Sequence, residues 1–495
     1  MVERIARTTI GAAAIIMVAV AAAFAQAPPP LPTPEPGTPP RPPGADRQEP
    51  PPPAPPPVPF PPPPFPQTIT PGPPLLIPPV AQPDTRPFAV RGFVRVEGEY
   101  NDNFFRTPVH SRSDYRETLT PGISVRLLSG RDEANLAYSP SLVHSSVAQD
   151  DILLFHLFDA NGTLGLTDRL TLKATEHFRR TDEPAFVDPL NLRRDRRIVT
   201  TELFGISLGY DQATWSLAPK YNLTIMEFDT TTTGTAAATP PADQERNEIH
   251  VLGLDGTANV QARNVVKASY EYTIATFRVA QDFTGHLGRL SASREVSPQM
   301  TASATASVAH RDPDGTAPYN IYRGDVGIRR ELQPRYVLEA RIGYFDTDAI
   351  RGSDGNGVEY TLRGTYIGRW VTLIGTSSRS LVETFTDTVN AGVIREQLTA
   401  LEARFEPTRA LTVTLRGAHT ESTFLQAATL AIATGTATAK TRQDTTLEGG
   451  IEVAYKLSRT LTLSVRYART SLDSNVHAFN YINNRAGLAL TATFE

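Results

Sequence analysis

The chain has 495 residues, a formal net charge of −4 and no cysteine. Disulfides, cysteine-ligated zinc and a lipid-anchored cysteine are therefore excluded, and the mild negative charge gives no electrostatic footprint for nucleic acid. Hydrophobic residues make up 40%, yet past the N-terminus no apolar run reaches the ~20 residues that a membrane-crossing helix needs.

The first element is a secretory signal over residues 1–25. Arg4 and Arg7 supply positive charge, Thr8 to Ala23 is small and apolar, and Ala23-Phe24-Ala25 offers a small-residue cleavage site. The apolar stretch is short for an uncleaved anchor. Residues 26–88 follow as a disordered arm holding most of the chain's 43 prolines. Proline fixes φ and removes a backbone donor, so this segment can join neither a helix interior nor a sheet. Fully extended as polyproline II at ~3.1 Å per residue, it would reach on the order of 190 Å. It reads as a spacer or as a tether to a periplasmic or cell-wall partner.

From residue 89 the prolines thin out and period-two alternation takes over, the signature of strands. Leu119, Pro121, Ile123, Val125 and Leu127 alternate with Thr120, Gly122, Ser124 and Arg126. Trp215, Leu217, Pro219, Tyr221, Leu223 and Ile225 do the same, as do Tyr336, Leu338, Ala340, Ile342 and Tyr344. About 20 such segments (range 16–22) are marked over 89–495, most of them close to the ~9–11 residues of a tilted membrane-crossing strand. Those centred near 287 and 375 alternate least clearly. Pro121, Pro140 and Pro219 fall inside segments, where each marks a bulge or a strand end. The connections alternate in length: 101–114, 179–197, 226–246, 345–356, 420–441 and 470–483 are long, whereas 167–169, 211–213, 331–334, 368–370, 406–409 and 458–460 are tight and polar. That pattern belongs to an all-β, antiparallel, up-and-down transmembrane β-barrel, with both termini on the short-turn side when the strand count is even.

Three features favour a membrane barrel over a soluble sandwich. Full charges stand in mid-strand on the polar face, among them Arg95, Arg116, Arg126, Lys220, Lys267, Arg341, Arg363, Arg416 and Arg466, with Glu97, Glu271 and Glu339. A water-filled lumen accommodates these. Tyr100, Tyr115, Tyr336, Tyr344, Tyr360 and Tyr366 sit on the apolar face near strand ends, as an interfacial aromatic girdle would. The chain ends in an amphipathic strand with Leu488, Leu490, Ala492 and Phe494 on one face, similar to an outer-membrane assembly signal, although Glu495 rather than an aromatic is last.

The first hairpin carries the most specific residues: Tyr100-Asn101-Asp102-Asn103-Phe104-Phe105-Arg106-Thr107-Pro108, then Ser113-Asp114, then Leu119-Thr120-Pro121-Gly122. This set resembles the outer-membrane β-barrel porin type-2 family of Gram-negative bacteria. The resemblance implies an outer-membrane barrel over 89–495, with the arm in the periplasm. Related-looking barrels occur in settings of exopolysaccharide export, and the family has no catalytic residues to carry over.

No chemistry of sites emerges. The nine histidines have no zinc-helix spacing, and no P-loop or nucleophile elbow occurs. Asp312-Pro313-Asp314-Gly315 and Asp354-Gly355-Asn356-Gly357 are turn chemistry rather than calcium loops, because the rest of a twelve-residue loop is missing. Neither enzyme activity nor a cofactor is expected. The expected partners are outer-membrane lipid and the barrel-assembly machinery. Three functions stay open: a porin-like channel for small or anionic solutes, a dedicated port for exopolysaccharide export, and a structural or adhesion barrel acting through its extracellular loops.

Overall fold

A computed structural model describes residues 86–494 apart from 110, 148–151, 183–196, 233–244, 262, 279–281, 316, 333–334, 349–354, 385–391 and 426–441. The signal and almost all of the proline-rich arm lie outside the described residues. Twenty strands follow in chain order: β1 (Phe88–Asn101), β2 (Asp114–Ser129), β3 (Asp132–Ser145), β4 (Ile152–Gly165), β5 (Leu170–Thr181), β6 (Arg197–Asp211), β7 (Trp215–Thr232), β8 (Glu245–Gln261), β9 (Asn264–Phe277), β10 (Phe283–Ser297), β11 (Met300–Pro313), β12 (Tyr319–Leu332), β13 (Tyr336–Thr347), β14 (Asn356–Ile367), β15 (Val371–Thr384), β16 (Gly392–Phe405), β17 (Leu411–Phe424), β18 (Gln443–Lys456), β19 (Leu461–Ser474) and β20 (Tyr481–Phe494). Each pairs antiparallel with its neighbours in sequence, and β1 pairs with β20, which closes the barrel. No described helix is long and apolar enough to cross a membrane.

The connections sort by side. Those after even-numbered strands are short turns, such as 130–131 and 298–299, and those after odd-numbered strands are longer loops, such as 475–480. The two ends of the barrel are called its turn end and its loop end below; both chain ends of the barrel lie at the turn end. Many strands have 14 residues. At ~3.3 Å per residue that is about 46 Å, longer than a tilted strand needs to cross hydrocarbon.

The prolines act on the ladder as backbone chemistry requires. Pro121 and Pro140 come opposite each other where the β2–β3 pairing breaks, between Leu119↔Leu142 and Ile123↔Tyr138. Neither can donate an N–H, and the Thr120 and Ser141 hydroxyls bridge the gap at 2.8 Å. Pro219 opens the β6–β7 pairing between Ser207↔Lys220 and Tyr210↔Leu217. All three prolines stay inside their strands, and the neighbouring ladders hold them there.

β15 departs from this regularity. Its ladder with β14 stops at Tyr360↔Arg379, although β14 begins at Asn356 and β15 runs on to Thr384. Alternation from Leu373 through Ser377 and Arg379 would place Leu381 on the outer face. Instead Leu381 is buried in one cluster with Ala309, Tyr319, Ile321, Phe345 and Val393, residues from the inner face of β11 to β13 and from β16. The β15–β16 hairpin thus peels away from β14 and leans into the barrel.

Candidate functional site: the barrel interior

The inner wall is a mosaic of opposite charges paired along and across strands. Arg95 contacts Glu97 at 2.8 Å, and Arg466 pairs with both Glu97 and Glu99. Arg126 meets Glu133 at 3.1 Å, Arg341 meets Glu339 at 3.1 Å, and Arg416 meets Glu402 at 3.1 Å. Lys220 bridges Asp255 at 3.0 Å and Glu271 at 2.8 Å. Arg116 pairs with Asp114 at 2.9 Å and with Asp182. Lys267 and Arg363 share the inner face with these groups, as their register partners show. The Asp255 and Glu133 side chains remain 44% and 41% exposed, so water reaches this wall.

Glycine makes the longer bridges possible. Lys220 on β7 is the register partner of Gly253 on β8, which is the partner of Glu271 on β9. With no side chain at Gly253, the lysine stem lies across β8 to reach the third strand; a Cβ there would overlap it. Gly487 on β20 plays the same part between Arg466 on β19 and Glu99 on β1, where an added Cβ would come within 2.9 Å of Arg466 Nε. These pairs are partly exposed, so their electrostatic worth is small. The steric requirement is not. Gly253→Val is expected to lower barrel stability by about 1–3 kcal/mol through overpacking, read as a fall in the urea midpoint in lipid vesicles. Gly253→Val combined with Lys220→Ala should recover most of that loss; an unrecovered loss would place the cause in the backbone.

The Asn101-Asp102-Asn103 segment closes the seam between β1 and β20. Asn483 Nδ2 donates to Asn101 Oδ1 and to the Asn103 carbonyl, both at 2.6 Å. Asp102 accepts from the Asn484 backbone N–H at 2.7 Å and from its Nδ2 at 2.6 Å. Asn103 Nδ2 donates to the carbonyls of Thr107 at 2.8 Å and Ile482 at 2.9 Å. Arg106 then turns at φ 52°, and Phe104 lies buried beneath the Arg116 guanidinium, 4.5 Å from ring centroid to Cζ. Gly122 pairs with Phe93, whose ring occupies the space a side chain would take. These side-chain bonds extend the β1–β20 ladder past its last pair, Asn101↔Arg485.

Apolar side chains form separate buried clusters on the interior at the loop end. Buried clusters form around Phe345, Ile321 and Leu381; around Val199, Met226 and Phe228; around Val143, Phe155 and Ile198; and around Ala275, Phe277 and Phe283. All lie within the last few residues of strands entering or leaving loops. Arg442, itself buried, sits between the rings of Phe424 and Phe479 at 4.6 and 3.5 Å, with Asp444 as its carboxylate partner. Tyr319 and Tyr481 are buried at this end, while toward the turn end the inner wall mixes charged groups with a few apolar side chains such as Ala89 and Phe93.

The outer face is apolar and exposed, with Val96, Leu119, Ile342, Leu362 and Val465 among its residues. Tyr100 and Tyr115 are register partners at the loop end, where Tyr344 and Tyr360 also lie. Tyr336 and Tyr366 are partners at the turn end, with ring centroids 4.7 Å apart. Leu488, Leu490 and Phe494 are exposed on the same outer face as Ala492, on the last strand. Among the described residues no group of His, Asp and Glu could hold a metal ion.

The family model described as "Putative beta-barrel porin 2" matches residues 282–494, which run from β10 to β20. The porin resemblance seen in the first hairpin is thus borne out, and by a separate part of the chain. None of the curated proteins matches it. Among solved structures, the Ferric-Catecholate import receptor Fiu from E. coli K12 is 8% identical, with 84% of this chain and 82% of that chain covered at a TM-score of 0.51. At that identity the likeness is one of fold. The siderophore receptor PirA from Pseudomonas aeruginosa is 12% identical, with 82% and 80% covered at a TM-score of 0.44. OccK3 (OpdO) from Pseudomonas aeruginosa is 10% identical, with 82% and 95% covered at a TM-score of 0.38.

Proposed function

We propose that this porin-like outer-membrane β-barrel is a diffusion channel for small solutes, with a weak preference for anions. The observation that carries it is the hydrated, charge-paired inner wall. A soluble core would bury such groups only at a high desolvation cost, whereas a 20-strand barrel encloses room for water. The apolar outer face meets lipid, and its tyrosines, placed toward both ends, sit at the two interfaces. The loop end then faces outward from the cell and the turn end faces the periplasm. The anion preference rests on basic residues such as Lys173, Lys267 and Arg363, which face the lumen beyond the paired set. It is weak because wall pairing neutralises most of the basic residues and leaves only a small surplus.

Planar-bilayer recordings of the refolded mature chain test this reading. Stable unitary steps are expected, with a reversal potential displaced toward that of chloride in a KCl gradient. Displacement toward potassium overturns the anion preference. Silence from a folded, heat-modifiable barrel overturns the channel and favours a closed export port or a structural barrel.

A further inference from the structure

We propose that the inward-leaning β15–β16 hairpin is the constriction of the lumen, latched there by Glu383 on the inner face of β11 and β12. This rests on the channel reading above.

Two independent sets of contacts hold the hairpin inside. The first replaces the broken ladder. Leu381 leaves β14, and its backbone groups are taken up by side chains from the inner wall. Its N–H donates to Glu359 Oε1 at 2.9 Å, and its carbonyl accepts from Arg323 Nη2 at 2.8 Å. A strand that leaves a sheet must satisfy these groups elsewhere, and here two charged wall residues, on β12 and β14, supply the partners. The second set is the latch. Glu383 receives Arg311 in a forked contact, Nε to Oε1 at 3.2 Å and Nη2 to Oε2 at 3.0 Å, and the Tyr319 hydroxyl donates to Oε1 at 3.3 Å. Arg311 lies on β11, four strands away from β15, so the contact reaches past β12, β13 and β14 rather than following the ladder. Beneath the latch, Leu381 and Val393 pack on Ala309, Ile321 and Phe345, and the hairpin's other side is met where Leu425 N–H donates to the Val393 carbonyl at 3.0 Å.

The Arg311 and Glu383 side chains are only 12% and 15% exposed, and their fork is bidentate. Such a pair has defined geometry and a neutral sum. A solute passing the hairpin therefore meets a neutral ion pair at rest. Removing the Glu383 carboxylate does two things: it frees the hairpin and leaves the Arg311 cation facing the lumen.

Full mature chains carrying Glu383→Gln, Arg311→Gln or the charge swap Arg311→Glu with Glu383→Arg are compared with wild type in planar bilayers. In parallel, Leu381→Cys is placed in each background and its labelling rate by a hydrophilic maleimide is measured in vesicles. The natural chain has no cysteine, so labelling reports this position alone. Glu383→Gln should raise unit conductance by roughly twofold, because the narrowest ring dominates pore resistance. It should also move the reversal potential toward chloride and speed labelling about tenfold, in line with losing a charge-assisted contact. Arg311→Gln should raise conductance but move the reversal potential toward potassium. The charge swap should return all three quantities toward wild type. Fast labelling with unchanged conductance overturns the constriction, since the hairpin would then move without narrowing the pore. Unchanged labelling and conductance overturn the latch. A wild-type chain without steps overturns the channel reading itself, and with it the constriction, whatever the labelling shows.

Discussion

Replacing Asp114 with alanine lowers the unfolding free energy of the barrel by about 3–5 kcal/mol, the range for removing one partner of a buried ionic cluster. Asp114 is 1% exposed and stands at the loop end of β2. Its carboxylate accepts from the Ser145 hydroxyl at 2.9 and 2.8 Å, the Ser146 hydroxyl at 2.9 Å, the Val147 backbone N–H at 3.2 Å and Arg116 Nε at 2.9 Å. Alanine leaves these donors without their common acceptor in a place where water replaces them poorly. The loss also reaches the first loop, because Arg116 covers Phe104 and pairs with Asp182 at the start of the β5–β6 loop. Asp114→Asn keeps the volume and one acceptor oxygen, so a smaller loss of roughly 1–3 kcal/mol is expected. Urea titrations of both variants in lipid vesicles decide the matter. A loss under about 1 kcal/mol for alanine, the level of an exposed pair, would mean that the loop end is hydrated and that Asp114 organises nothing beyond its own turn.

Period-two alternation exposed the barrel because lipid on one side and water on the other impose opposite demands on successive residues. The count of about 20 segments meets the twenty strands, and the two with the weakest alternation, near 287 and 375, fall inside β10 and β15. β15 is weak for a reason visible in space. Its outward positions include Gly375, Ser377 and Arg379, and beyond Arg379 the strand parts from β14 while staying paired with β16. No local pattern announces that departure, since the contacts that cause it come from Arg311, Tyr319, Arg323 and Glu359, 22 to 72 residues away. The glycine bridges were equally hidden. Gly253 looks like a strand-weakening residue in the sequence; only the register shows a lysine stem lying over it. The motif at 100–122 was legible as a resemblance, whereas its physical role is not local. Asn101, Asp102 and Asn103 bond residues 379 to 382 positions away, at the loop end of the seam that the β1–β20 ladder closes.

Phe345→Ala should cost about 3–5 kcal/mol, the range for emptying a fully buried aromatic site. The side chain is 0% exposed, and its ring lies against Gly357, its register partner on β14, where an added Cβ would come within 3.0 Å. Ala309, Tyr319, Ile321, Leu381 and Val393 complete the surroundings. These residues belong to the interior of a barrel rather than to its lipid face, so the lost burial is burial from lumen water. Lipid cannot substitute for it, as it would at an outer position such as Leu362. The vacated space has two possible fates with different signatures. If the rigid wall strands and the Glu383 latch hold the hairpin in place, the cavity stays, the cost sits at the upper end of the range, and unit conductance keeps its wild-type value. If instead the hairpin slumps into the space, the cost falls toward the lower end and conductance changes with it. Measuring the urea midpoint and the unit conductance on the same variant therefore separates packing beneath the hairpin from the ionic latch above it. A cost below about 1.5 kcal/mol, typical of a volume-conserving swap, would show that water already reaches the cluster beneath the hairpin and that Phe345 is not shielded from it.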